Sequence, residues 1–366
     1  MNSIIDIALK KLSFLNMDLE ILLPALIIMS GIVIFTIMAV NALIAVYFER
    51  KVSAFMQDRL GPMEVGILGF KGGSRFWGGI GQTLADAIKL LVKEDILPRD
   101  ADKALMIISP FIIFAGALLT FIAVPLSENL VISDFNIGLF YIIAMSSVGV
   151  IGIILAGWSS NNKWSLYGSM RAAAQIVSYE IPIGLSLLLI VIISGSLHLG
   201  DIVSWQENNR WFIFHSPFTF LAFIIYFISV VAETNRTPFD IPEAESELVA
   251  GWMTEFSGFR WSLFFLSEYA NMLIVSIVAS IVFLGGWLSP LHIINIFPES
   301  WNYLDGPFIG FFWLMLKTIV LIFIMMWFRW TFPRLRVDQL MYLCWKVFIP
   351  FCLANLFFVS IWELVF

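Results

Sequence analysis

Cysteine is nearly absent. Cys344 and Cys352 are the only two in 366 residues, and both lie near the C-terminal end. Two thiols alone hold neither a structural zinc nor an iron–sulfur cluster. Histidine is almost as scarce, with His198, His215 and His292 scattered between apolar runs. No metal site is expected, and any redox cofactor is diffusible or belongs to a partner chain. Charge is the third shortage: 13% of residues are charged and 60% hydrophobic, whereas a soluble domain carries about 25% charge. The longest polar stretch, 49–103, leaves no room for a separate soluble domain. No secretory signal is expected at the N-terminus either, so the first apolar run would direct insertion.

Apolar sequence of membrane-spanning length is what the chain has in abundance, with a mean hydropathy of +0.91. Eight spans are predicted, near 22–48, 104–124, 138–158, 175–195, 217–233, 263–284, 308–328 and 347–364. Each matches a hydrocarbon core of about 30 Å, except the first, which must tilt or continue along the interface. The expected fold is all-α, a polytopic integral membrane protein with eight transmembrane helices in a single membrane domain, 1–366.

Orientation follows from the basic residues. Of 21 Lys and Arg, 17 fall in the loops 49–103, 159–174, 233–262 and 329–346, against Lys10, Lys11 and Arg210 on the other face and Lys317 within a span. Short basic loops stay cytoplasmic, which puts both termini on the outer, periplasmic side. Inside the first loop, Leu84, Ile88, Leu91 and Val92 share one helical face. This pattern predicts an amphipathic helix, either lying in the membrane interface or packed on a partner. Glycines 72, 73, 78, 79 and 81 fit no phosphate-binding spacing and read as loop.

Charges inside spans are costly, at roughly 2.5–3.5 kcal/mol each on insertion scales, and invite a functional reading. Glu180, Glu268 and Lys317 are the three. A Glu–Lys pair that merely fixes helix packing is one account of them. It leaves at least one acid unpaired, and a protonatable carboxyl in low dielectric suits a proton relay.

The loop after the fifth span concentrates acids: Glu233, Asp240, Glu243, Glu245, Glu247 and Glu255, against Arg236 and Arg260. Glu243 and Glu247 are i,i+4 and would share a helical face. Apolar interruptions at Phe239, Ile241 and 248–251 argue against a plain solvated loop and for a proton path. A second constellation is basic: Arg50, Lys51, Arg59, Arg334 and Arg336, interleaved with Phe55, Met56, Trp330 and Phe332. Topology signalling explains most of these; such a set also suits a ligand with a polar head and an apolar tail.

Several segments resemble a known family. They include Glu49-Arg50-Lys51, Gln57-Asp58-Arg59-Leu60-Gly61-Pro62, Ala85-Asp86-Ala87-Ile88-Lys89-Leu90, Ser178-Tyr179-Glu180, Ala232-Glu233-Thr234-Asn235-Arg236, Pro242-Glu243-Ala244-Glu245-Ser246-Glu247-Leu248 and Arg329-Trp330-Thr331-Phe332-Pro333-Arg334-Leu335-Arg336. The chain is similar over about 41–350 to the H subunit (subunit 1 in mitochondria) of proton-pumping NADH:quinone oxidoreductase, respiratory complex I.

The resemblance implies eight spans in a bacterial inner membrane rather than a mitochondrial one. It implies partnership with the other membrane-arm subunits and with peripheral iron–sulfur subunits that carry FMN and the clusters. Quinone (ubiquinone or menaquinone) would be a diffusible substrate, and no cofactor would be tightly bound to this chain. Carried over by motif, Arg50, Met56, Arg59, Arg334 and Arg336 would line or support the quinone tunnel. Glu180, Glu233, Asp240, Glu243, Glu245, Glu247, Glu255 and Glu268 would form the acidic path to the proton channels. Met63-Glu64-Val65-Gly66-Ile67 replaces the family's usual Asn-Arg-Val-Gly-Pro, and Thr83 a common Pro, near the expected tunnel entrance. A membrane anchor of an energy-converting hydrogenase or F420-dependent dehydrogenase would share the acidic loop. A free-standing ion transporter would share the intramembrane charges, but the sequence has no inverted repeat.

Overall fold

The computed structural model describes residues 19–66, 78–128, 130–242, 245–290 and 307–365. Among them the chain is helical, without strands. In chain order the helices are α1 (Leu19–Met56), α2 (Gly81–Val92), α3 (Lys103–Ala123), α4 (Gly138–Ser159), α5 (Lys163–Ser194), α6 (Leu199–Asn208), α7 (Phe212–His215), α8 (Pro217–Glu233), α9 (Glu245–Leu248), α10 (Gly258–Phe283), α11 (Pro307–Thr331), α12 (Val337–Tyr342) and α13 (Ile349–Val365). Seven helical stretches are long and apolar enough to cross a membrane, α12 and α13 counting as one through a π-helical turn at Leu343–Phe348. The protein is a polytopic α-helical membrane protein. The fifth predicted span, α8, has 17 residues and is about 25 Å long at 1.5 Å per residue.

Local chemistry sets the helix ends. Asp102 accepts hydrogen bonds from the Ala104 and Leu105 amides and starts α3, satisfying two of the unpaired N–H groups every helix start leaves. Ser216 and Thr219 form a capping box ahead of α8, with Pro217 at its first position. Asn162 accepts from the Trp164 amide and starts α5 at Lys163. The stretch expected to be loop at 159–174 is therefore helical from Lys163 onward. Its polarity ended the apolar signal, but polar residues propagate a helix once a cap has started it. Glu180 consequently lies near the middle of a 32-residue helix.

Close approach fixes the packing of the bundle. On α4, a Cβ at Gly152 would meet Ile113 Cγ1 at 2.4 Å and the Ser109 carbonyl at 3.1 Å, so α3 and α4 nearly touch through backbone. α10 is the most enclosed span, with 72% of its apolar window buried, and it packs on α1, α2, α3 and α11. It therefore places whatever polar residues it carries at the centre of the molecule.

A clasp ties the 124–137 loop to the start of α6. His198 Nε2 lies 2.5 Å from Asp134 Oδ1, and its Nδ1 lies 3.1 Å from Asp201 Oδ1. Burial opposes the imidazolium, but the bonds to Asp134 and Asp201 outweigh it and raise the His198 pKa above 6.5. Burial likewise opposes ionised Asp134, and His198 beside it brings its pKa below 3.8. The linkage sign is then fixed. The histidine contribution is fully present below the ordinary histidine value and is lost as pH rises through the raised one. The aspartate contribution is lost only when pH falls through its lowered one. His198→Gln is expected to lower the thermal unfolding midpoint at mildly acidic pH and to change it much less at alkaline pH, read by unfolding in detergent at the two pH values.

Candidate functional site

Three features meet on α1 and α10. The first is a buried ion-pair cluster. Glu49, in the penultimate turns of α1, is 5% exposed. It accepts a hydrogen bond from Arg236 Nη1 at 2.8 Å, another from the Tyr269 hydroxyl, and pairs with Arg329 near the end of α11. Arg236, 4% exposed, also places Nε 2.9 Å from Glu268 Oε1, and its guanidinium lies 4.6 Å from the Tyr269 ring centre. Burial by itself disfavours the guanidinium charge, but Glu268 and Glu49 raise its pKa further above the ordinary arginine value. Asp240 and Arg334 extend the cluster outward through a 2.9 Å contact. Burial holds the Asp240 carboxyl above the usual aspartate range although Arg334 pulls it down, and its Oδ1 is buried without a protein hydrogen-bond donor.

The turn carrying Arg236 is held in place by Gln175 of α5. Its Nε2 donates to the carbonyls of Ala232 and Phe239, at 2.7 and 2.8 Å. These bonds close the 232–239 segment on itself, which α8 needs because it ends at Glu233 with its last carbonyls otherwise unmet.

Second, a cavity of about 70 Å³ lies between α3, α4, α5, α8 and α10, lined by Glu180, Glu233, Ser146, Tyr226, Thr234 and Asn271 among aliphatic side chains. That space holds a few water molecules, since one needs about 10–15 Å³ by this measure. Glu180 and Glu233 both face it, and Glu180 Oε1 is buried without a protein hydrogen-bond donor. No lysine or arginine lines this cavity.

Third, a groove of about 620 Å³ runs between α1, α2 and α10, lined mainly by apolar residues such as Phe35, Leu43, Leu90 and Phe265, with Arg50 at its polar end. The neighbours of the groove-lining residues belong to the cluster: Glu49 precedes Arg50 on α1, and Glu268 and Tyr269 follow Leu266 on α10. The cavity continues from the other side, through Glu233, Thr234 and Asn271.

The structure sorts the residues singled out from sequence. Glu180 and Glu233 share the cavity, Glu268 and Asp240 join the ion-pair cluster, and Arg50 lines the groove. Glu247 instead lies on the exterior, its side chain 60% exposed and paired with Arg171 at 2.6 Å. Glu255 accepts from Asn162 at 2.6 Å. Met56, Arg59 and Arg336 are exposed, and none lines the groove or the cavity. Glu243 and the side chain of Glu245 lie outside the described residues. Sequence reasoning missed Glu49, Arg236, Arg329 and Tyr269 as one site. The available signal was an acid inside a long apolar helix, Glu49, with an arginine at the end of another, Arg329.

Lys317 does not form the intramembrane Glu–Lys pair considered from sequence. Its Nζ donates to the carbonyls of Leu284, Gly286 and Leu288 at 2.7, 2.9 and 2.7 Å and sits 4.0 Å above the Trp211 ring. The ammonium caps the C-terminal end of α10, where carbonyls lack helical partners and the helix dipole is negative. Lys317→Met should therefore lower stability by about 3 kcal/mol, the cost of orphaning buried carbonyls. Turnover per folded molecule should hold, which thermal unfolding and activity measured on the same preparation would separate.

Comparison with known proteins gives the same family throughout. The family model described as NADH dehydrogenase matches residues 29–360. The NADH-quinone oxidoreductase H subunit of Chlorobaculum tepidum is 52% identical over 324 residues, covering 87% of each chain. The H subunit of Bacteroides fragilis is 47% identical over 328 residues, 89% of this chain and 87% of that one. That of Phocaeicola vulgatus is 44% identical over 346 residues, 94% of this chain and 92% of that one. With the match running from α1 into α13 and through every helix of the site, the chain belongs to the NADH dehydrogenase family of membrane subunits, alongside the H subunits of NADH-quinone oxidoreductases.

Proposed function

We propose that this chain is a membrane subunit of a bacterial NADH:quinone oxidoreductase that admits quinone through the α1–α2–α10 groove and couples its reduction to proton movement through buried carboxylates. The observation that carries this reading is contiguity. The groove, the ion-pair cluster and the carboxyl-lined cavity follow one another along α1 and α10 without an apolar break. The names of the relatives support the assembly, with peripheral iron–sulfur subunits and further membrane subunits as partners.

The division of labour follows from composition. Reducing a quinone to the quinol takes two electrons and two protons. With two buried cysteines and, among the described residues, no group of His, Cys, Asp and Glu able to hold a metal, this chain offers the substrate path and the protons, and a partner delivers the electrons. The groove is apolar along most of its length, as an isoprenoid tail requires, and Arg50 offers a donor to a quinone oxygen.

The cluster is the coupling element. Two carboxylates share Arg236, so a change of charge at the groove's polar end alters the balance among Glu49, Arg236 and Glu268. That balance bears on Glu233 three residues away. Coupling of this kind is a free energy shared between two sites. Waters in the cavity would let Glu233 and Glu180 exchange a proton. Both termini lie on the periplasmic side in this reading, as the basic loops require.

A photoreactive quinone with an apolar tail tests the groove directly in the assembled complex. Label is expected on the α1 segment 35–46 and the α10 segment 259–266, suppressed by excess unlabelled quinone. A complex that reduces quinone yet labels nowhere on these helices would contradict it.

A further inference from the structure

We infer that α2 carries a binding site for an anionic phospholipid, with the phosphate held between Lys89 and Lys93 at the rim of the groove. The inference goes beyond the quinone reading and does not depend on what fills the groove itself.

α2 presents three different faces. Thr83, Ala87 and Leu90 turn inward toward the groove. Leu84, Ile88, Leu91 and Val92 are 44%, 52%, 61% and 79% exposed and lie together on a second face. Four large aliphatic side chains left bare on a 12-residue helix, beside a bundle that spans the membrane, need an apolar cover. The third face is basic. Lys89 and Lys93 are spaced i,i+4, stand side by side on that face and are both exposed.

The charges around them show why these two are available. Asp86 is paired with Arg50 at 2.6 Å, and Asp95 is held by two nitrogens of Arg260. No ion pair engages Lys89 or Lys93 among the described residues. Glu94 is exposed beside Lys93 and does not line the groove. Of the four charged residues that do, Arg50, Lys89 and Lys93 are basic and Asp86 alone is acidic. The rim thus carries a surplus of positive charge next to bare apolar surface, complementary to a phosphodiester head group with acyl chains attached.

The helix is also anchored rather than floating, so the site is preformed. Ser257 Oγ accepts from the Ile96 amide at 3.1 Å and donates to the Glu94 carbonyl at 3.2 Å. A Cβ on Gly258 would meet the Lys93 carbonyl at 2.9 Å, so the start of α10 presses directly on the end of α2. Trp261 and Phe265, stacked at 5.3 Å between ring centres, form the opposite wall and suit the region where acyl chain meets head group.

The test uses the intact complex and two photoreactive lipids that differ only in the head group, phosphatidylglycerol and phosphatidylcholine, each with the reactive group on an acyl chain. Phosphatidylglycerol is expected to label segments 84–92 and 259–266 well above phosphatidylcholine. Lys89→Gln with Lys93→Gln should cut that label on the order of tenfold, because each basic residue near an anionic lipid contributes several-fold. Lys89→Arg with Lys93→Arg should retain it, which separates charge from misfolding. Equal labelling by the two lipids, or label unchanged in the double Gln variant, would overturn the inference. Labelling by the quinone probe is read separately in the same preparations, so failure of one reading leaves the other visible.

Discussion

Arg236→Gln should destabilise the protein more than any other single substitution considered, by about 3–5 kcal/mol, the cost of removing one partner from a buried ion pair. Arg236 is 4% exposed and faces both Glu49 and Glu268. Without it, Glu49 keeps Arg329 but Glu268 loses its only ion-pair partner among the described residues. A loss of this size is a large fraction of the roughly 5–15 kcal/mol that ordinarily separates folded from unfolded chains. The unfolding midpoint in detergent and the amount of chain recovered in assembled complex should both fall sharply. Arg236→Lys should do less well than its charge suggests, since a single ammonium cannot present Nη1 to Glu49 and Nε to Glu268 at once. Adding Glu268→Gln to Arg236→Gln should recover part of the loss, because the uncompensated carboxylate goes with it. Wild-type unfolding for Arg236→Gln would show that the cluster carries no stability.

Glu233→Gln should act differently: assembly intact, quinone-coupled turnover down by about 100-fold or more, the usual contribution of a positioned proton carrier. Glutamine keeps the size of the side chain and can still bond to water, but it carries no exchangeable carboxyl proton. Glu233 lies where α8 ends, with the cavity and Glu180 on one side and Arg236 on the other. Glu247→Gln is the contrast. Its side chain is 60% exposed and paired with Arg171, so bulk water can serve as its proton carrier and turnover should change only a few-fold. Equal loss in both variants would contradict the sorting of the acidic loop into buried and exposed members.

Much of the fold was legible because a membrane imposes it. Runs of apolar residues near 104–124, 138–158 and 308–328 become α3, α4 and α11 with ends shifted by a few residues. The boundaries failed where polar sequence stays helical, as at Lys163, where Asn162 starts α5 well before the apolar run begins. The site was legible in part. Glu180 and Glu268 stood out because charge within a span is costly, but their partners are far apart in sequence. Glu49 meets Arg236 across 187 positions and Arg329 across 280. No periodicity links such positions. Lys317 shows the same limit: an ammonium inside a span suggested a carboxylate partner, whereas three carbonyls at the end of α10 satisfy it. Backbone acceptors leave no mark in a sequence.

The central claim is that a change at the groove alters the protonation of carboxyls in the cavity. Infrared difference spectroscopy of the assembled complex, oxidised against quinone-reduced, reads carboxyl protonation directly. A carboxyl band is expected to change when quinone is reduced, and to disappear from the difference spectrum in Glu233→Gln or Glu180→Gln while persisting in Glu247→Gln. A difference spectrum identical in wild type and in both cavity variants, from complexes that still bind quinone, would contradict the account.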